Sequence, residues 1–359
     1  LYVTVALVYP QRLRPAVFGV FASAWVIPSL VGPLLAGFVA ARFGWPWVFA
    51  GVLGLVLLAA APVLPVLLRI PANATTSTAS DGEPGGESYK EPGGVPARTR
   101  TRYGAAFVVA AAVVVLSSAG AAGAWRWVLA LAALTVLAVG VRPLLPRGTL
   151  TARAGLPATV LLRGSIAATF YSTEVYLPLM LHERFGLPLW AAGAVLTAGA
   201  IAWASGSAVQ GRLGDRLPHH VAVRVGAVLL LVGVTTQLGV AAITSALSPE
   251  ISPSTATTPS AAIVMAAVGW FVGGGGMGLM YPRTTVLVLA RSDPGSEGAG
   301  SAALTISDAA GGATALALTG LLFGAFGAAC AGAGFATTLL GCSLLASVSL
   351  AVALRVGRD

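Results

Sequence analysis

"GVFASAWVIPSLVGPLLAG", residues 19–37, is an apolar run that begins and ends with glycine and carries two prolines, Pro28 and Pro33, but no charge. A helix that crosses a bilayer needs about 20 apolar residues, because in lipid the backbone must satisfy its own polar groups. The rest of the chain has the same character. Of 359 residues, 57% are hydrophobic and only 9% are charged, and the mean hydropathy is +0.87. So little charge cannot cover a soluble globule of this size, and the chain belongs in a lipid bilayer.

Measured against the length of one crossing, the sequence predicts an all-α, polytopic membrane protein of about ten transmembrane helices. They fall at 16–41, 46–68, 105–125, 127–145, 157–181, 187–209, 222–243, 261–281, 299–325 and 329–354. The fourth is the shortest, since fifteen residues separate Arg126 from Arg142, and it spans only if Arg142 snorkels to the surface. The first run is too long for a secretory signal, lacks a cleavage site and is followed at once by another span.

A net charge of +9 raises the question of a nucleic-acid partner, and the placement of the arginines answers it. With Gln11–Pro15 in the cytosol and alternating spans, only Arg42, Arg126 and Arg184 fall outside, Arg163 falls within a span, and all other Lys and Arg fall inside. That is the positive-inside pattern, so the basic charge sets orientation and implies no nucleic acid. Both termini and the 71–104 segment are then cytosolic, and 244–260, free of Lys and Arg, is outside. Cys330 and Cys342 sit in or beside the last span with no metal spacing, and read as small buried residues. No metal or cofactor is implied.

Residues 71–104, "PANATTSTASDGEPGGESYKEPGGVPARTRTRYG", are too polar and too rich in Gly and Pro to bury a core, and read as a flexible linker. The chain then divides into 1–70, the end of one helical half with 1–10 as a helix stub; the linker; a two-helix hairpin at 105–145 of mostly Ala, Val, Leu and Gly; and a six-helix half at 157–354.

The spacing Gly19, Pro28, Gly32-Pro33, Ala36-Gly37 resembles the antiporter motif of major facilitator superfamily exporters, with Pro28 and Ala36 each standing where that motif has glycine. Small residues let two helix backbones approach, and proline frees a carbonyl and bends the axis. A second resemblance lies in "GRLGDRLPHH", 211–220, where Gly211, Asp215 and Arg216 fit the loop signature of the same superfamily. Pro218 replaces a glycine there, and His219 and His220 replace a basic pair, which leaves the loop's charge partly dependent on pH. The intercalated hairpin resembles the fourteen-helix drug and proton antiporters, a resemblance that implies four further helices before Leu1. The run "GWFVGGGGMGLMYP", 269–282, contains a formal G-x-G-x-x-G, but inside an apolar span it reads as close helix packing along a central cavity, not as a dinucleotide loop.

Charges inside the membrane are costly unless they face water, a partner or a substrate. Arg163 and Glu174 lie eleven residues apart in one span. Helical geometry puts them on one face and roughly 16 Å apart along the axis, too far to touch. Asp308 falls at nearly the depth of Arg163, so the two can pair, leaving Glu174 alone; alternatively Arg163 snorkels and Glu174 reaches headgroups. Phe170, Tyr171 and Tyr176 surround Glu174 with an aromatic, partly polar wall suited to an amphipathic small-molecule substrate. A carboxylic acid in a low-dielectric cavity binds protons more readily than one in water, which suits Glu174 to proton coupling. The resemblance implies a plasma-membrane antiporter that exports such compounds in exchange for protons, its two halves rocking around a central site. The competing reading is a truncated remnant that does not transport, or an accessory or sensor membrane protein of the same fold. No His cluster, Ser/His/Asp set or metal spacing on the spans suggests an enzyme.

Overall fold

The computed structural model describes residues 31–32, 35–69, 97–246, 257–292, 296–327 and 333–356. Among them every regular element is helical. Residues 35–43 lead into α1 (Trp45–Arg69), followed by α2 (Ala97–Ser118), α3 (Arg126–Gly140), α4 (Leu156–Phe185) and α5 (Leu189–Leu213). Then come α6 (His219–Ala246), α7 (Thr257–Ala290), α8 (Glu297–Gly327) and α9 (Ala333–Ala353). Seven stretches of the described residues are long and apolar enough to cross a membrane. The predicted crossings from residue 46 onward each coincide with a helix, whereas 16–41 lies largely outside the described residues.

Three boundaries differ from the sequence reading, each for a local reason. The span placed at 127–145 ends at Gly140, and its 15 residues reach only about 22 Å, short of a hydrocarbon core. Arg142 lies just beyond the helix, in an exposed turn. The helix placed from 105 begins at Ala97, inside the expected linker, since alternating arginines and threonines do not stop a helix as Gly and Pro do. The span placed at 261–281 runs on to Ala290 through Pro282, 34 residues in all.

The two ends of α4 follow from its sequence. Pro157 stands in the first turn, where no amide partner is needed, and Gly186 closes the last turn in the left-handed region at φ 66°, its N–H reaching the His182 and Leu181 carbonyls. Pro178 lies inside the helix and supplies no amide, so the Glu174 carbonyl lacks its usual helical donor.

Glycines decide which helices pack. α7 is wedged between α5 and α6, its two most extensive neighbours. A Cβ on Gly274 would collide with the Gly199 backbone and one on Gly278 with the Trp203 carbonyl, both on α5. On the other side, a Cβ on Gly276 would come within 2.5 Å of the Gly226 carbonyl oxygen, and one on Gly233 within 2.6 Å of that of Gly269, along α6. The glycine run is thus two contact faces on one helix, the close packing expected from the sequence. Gln237 of α6 adds a buried bond across the second face, its Nε2 donating to the Ala266 carbonyl at 2.8 Å.

A second packed group joins α4 to α8 and α9, and α9 to α6. The α2–α3 hairpin docks on α8 through Leu116, Ala119, Ala130 and Ala133 against Ala317 and Leu321. Its remaining surface, including Phe107, Val114 and Leu131, is exposed. Cys342 is free and buried, as its residue type suggests, while Cys330 lies outside the described residues.

Candidate functional site

Arg163, Tyr171, Glu174 and Pro178 are among the half-buried residues of a largely buried stretch of α4. Their spacing places them on one stripe of the helix.

At one end of the stripe the structure joins Arg163 to Asp308. Arg163 Nε donates to Asp308 Oδ1 at 3.0 Å, with side-chain exposures of 12% and 21%. The guanidinium's remaining contacts come from α7: Nη1 donates to the Tyr281 carbonyl at 3.0 Å, to Thr284 Oγ1 at 3.0 Å and to Thr285 Oγ1 at 3.3 Å. Cζ lies 3.2 Å from the centroid of the Tyr281 ring, a cation–π contact. Tyr281 in turn donates its hydroxyl to Asp308 Oδ2 at 3.0 Å, so each carboxylate oxygen has its own donor. The charge of Arg163 is thus balanced inside the protein and need not snorkel.

Close backbone contact makes this meeting feasible. A Cβ on Gly311 would collide with the Gly164 backbone, and one on Gly164 would meet Ser307 Oγ at 2.5 Å. Ser307 also donates to the Val160 carbonyl at 2.7 Å. With α4 and α8 this close, the residues beside the crossing reach each other.

Glu174 remains apart from the pair. It is partly buried, and among the described residues no hydrogen bond or ion pair reaches its carboxylate. The expected aromatic wall is distributed differently. Phe170 is 4% exposed, stacked on Trp270 at 4.5 Å between centroids and edge-on to Trp203 at 5.1 Å. Tyr176 is 7% exposed and packs against Phe323 at 5.2 Å. Both serve helix packing in this structure, and only Tyr171 keeps surface beside Glu174. Sequence reasoning missed Trp203, Trp270 and Tyr281; the tyrosine before proline, following a glycine run, was the visible signal.

It also missed Arg283, which was counted among the orienting arginines. Arg283 is 6% exposed, and its Nη2 donates to the Gly214 carbonyl at 2.8 Å and the Gln210 carbonyl at 3.1 Å, while Nη1 meets His219 Nδ1 at 3.2 Å. It therefore pins the α5–α6 turn, where Gly214–Arg216 form a 3₁₀ turn. Gly211 and Arg216 are exposed there, and the Asp215 side chain lies outside the described residues.

Of the opening motif, Gly19, Pro28 and Pro33 lie outside the described residues, and a Cβ on Gly32 would meet nothing within 4 Å. Gly37 is a contact point: a Cβ there would approach the Leu189 carbonyl oxygen to 2.7 Å at the start of α5. Beside it lies an open apolar groove of about 330 Å³, lined by Ala36, Gly37, Phe49, Pro178 and Leu189 among others.

Long apolar helices crossing at glycine contacts, with a charged pair satisfied between them, define a multi-pass membrane protein. Residues 1–249 match the sequence profile of the Major Facilitator Superfamily. The chain belongs to that superfamily, a family of membrane transporters. No curated protein sequence matches it.

Proposed function

We propose that the protein is a proton-coupled antiporter of the plasma membrane, of the fourteen-helix drug-exporter type, that moves small amphipathic organic compounds outward by alternating access. Glu174 is the proton-coupling carboxylate, and Arg163 and Asp308 are a structural or gating pair. Tyr171 offers a substrate the aromatic, hydroxyl-bearing surface next to Glu174.

The observation that carries this reading is the contrast between two carboxylates, Asp308 on α8 and Glu174 on α4. Asp308 is bound at both oxygens, by Arg163 and Tyr281. Glu174 has no such donor among the described residues, and the carbonyl of its own residue is released by Pro178. A group that must load and release protons needs that freedom, whereas a carboxylate clamped to a guanidinium is suited to holding helices together.

The test is transport in proteoliposomes under an imposed pH gradient, using a fluorescent amphipathic amine and a fluorescent amphipathic acid as probes. Glu174→Gln keeps shape and hydrogen bonding but removes the titration, so it abolishes gradient-driven movement while leaving probe binding measurable. If Glu174→Gln retains gradient-driven movement and Asp308→Asn loses it, the two carboxylates have the opposite roles.

A further inference from the structure

We propose that Tyr281 is a positioning residue that ties α7 to the Asp308 carboxylate. The proposal rests on the structural or gating role given above to the Arg163–Asp308 pair, but its test reads helix position and needs no transported solute.

The two partners of the ion pair sit on helices that hold each other without it. α4 and α8 are locked by the Gly164–Gly311 crossing and by the Ser307 bond to Val160, neither of which depends on charge. α7 belongs to the other packed group, with α5 and α6, and its seams with α4 and α8 are far thinner. Across those thin seams the polar contacts converge on one place. Tyr281 reaches Asp308 through its hydroxyl, and Arg163 reaches back to the Tyr281 carbonyl, Thr284 and Thr285. Arg291, donating to Thr159 Oγ1 at 3.2 Å, adds a contact further along.

The helix is weakened at the same point. Pro282 cannot donate to the Gly278 carbonyl, which instead receives the Ser207 hydroxyl of α5 at 3.2 Å. The turn of α7 that carries Tyr281 therefore lacks one internal helical bond. The groups that face Asp308 here are Arg163, Tyr281 and Tyr171. To the Asp308 carboxylate the Tyr281 hydroxyl makes a charge-assisted bond, about twice as strong as the one an uncharged amide in its place would accept. Arg163's own contacts on α7 go to the Tyr281 carbonyl, Thr284 and Thr285, so the hydroxyl is the part of the link that ends on Asp308 itself.

Spin labels at two exposed positions, Val286 on α7 and Ser301 on α8, report the separation of the helices. The full chain is placed in lipid nanodiscs, with Cys330 and Cys342 replaced by alanine, and distances are measured by electron paramagnetic resonance. Asp308→Asn puts an uncharged amide in place of the carboxylate, and Tyr281→Phe removes only the hydroxyl. Each is expected to shift or broaden the distance distribution in the same way, and the double variant to go no further than either single one. Tyr281→Trp keeps a ring but lacks that hydroxyl, and stands in should Tyr281→Phe not fold. An unmoved distribution in Asp308→Asn, an unmoved one in the Tyr281 variant, or shifts that add in the double variant would each overturn the proposal. A side chain that merely fills space would not produce non-additivity with Asp308.

Discussion

Gly164 of α4 and Gly311 of α8 cross with their backbones in direct contact, and a methyl group on Gly311 would strike the Gly164 carbonyl. The crossing lies one residue from Arg163 and three from Asp308, so the approach of two bare backbones brings a guanidinium and a carboxylate within bonding distance. Gly311→Ala should separate the helices, costing ~1–3 kcal/mol as an overpacked contact does. It should also weaken the coupling between Arg163 and Asp308. Thermal unfolding in detergent checks the first effect, and a double-mutant cycle on the pair in the Gly311→Ala background checks the second.

Removing one partner of the pair leaves the other charged in a largely buried place. Arg163→Ala should destabilise by about 3 kcal/mol, the lower end for a broken buried pair because both side chains keep some exposure. Adding Asp308→Asn should recover part of that loss, since it removes the orphaned charge. Two single-variant losses that simply add would show that Arg163 and Asp308 are not energetically coupled.

Arg283 holds two carbonyls at the α5–α6 turn with Nη2 while Nη1 meets His219 Nδ1, a two-nitrogen planar fork that a single ammonium cannot reproduce. Arg283→Lys should therefore loosen the turn even though charge is kept. Amide hydrogen exchange over residues 210–219 should speed up by about tenfold or more, equivalent to the ~1.4 kcal/mol or more of one charged hydrogen bond. Unchanged exchange there would mean that the turn stands without Arg283.

The placement of the arginines predicts an orientation, with the 15-residue α3 counted as a crossing, and it is open to a direct check. A cysteine placed at Ser254 should react with an impermeant maleimide added outside intact cells, and one placed at Ser80 should not. The reverse pattern would invert the protein in the membrane and move the Arg283-pinned turn to the outside.

The sequence determined by itself that this is a bundle of membrane helices and where most of them lie. Length, apolarity and the low cost of a self-bonded helix in lipid leave few alternatives, and each of these is a property of one segment read alone. It also fixed the shared face of Arg163 and Glu174, because helical spacing alone sets that angle. The glycine run of 269–282 read correctly as a packing surface, since small residues in lipid have little other use. The tertiary structure decided what those faces meet. Spacing left Arg163 free to pair with Asp308 or to snorkel, and the Gly164–Gly311 crossing settled the choice by setting the distance between two helices more than a hundred residues apart. Phe170 and Tyr176 looked like a substrate wall from their neighbourhood in the chain, yet they pack against Trp270 and Phe323 of other helices. Arg283 looked like one more orienting charge until the turn of α5–α6 folded over it. A helix in lipid is specified residue by residue along its own axis, but the partner of a buried side chain depends on how closely two backbones approach, which no single segment encodes.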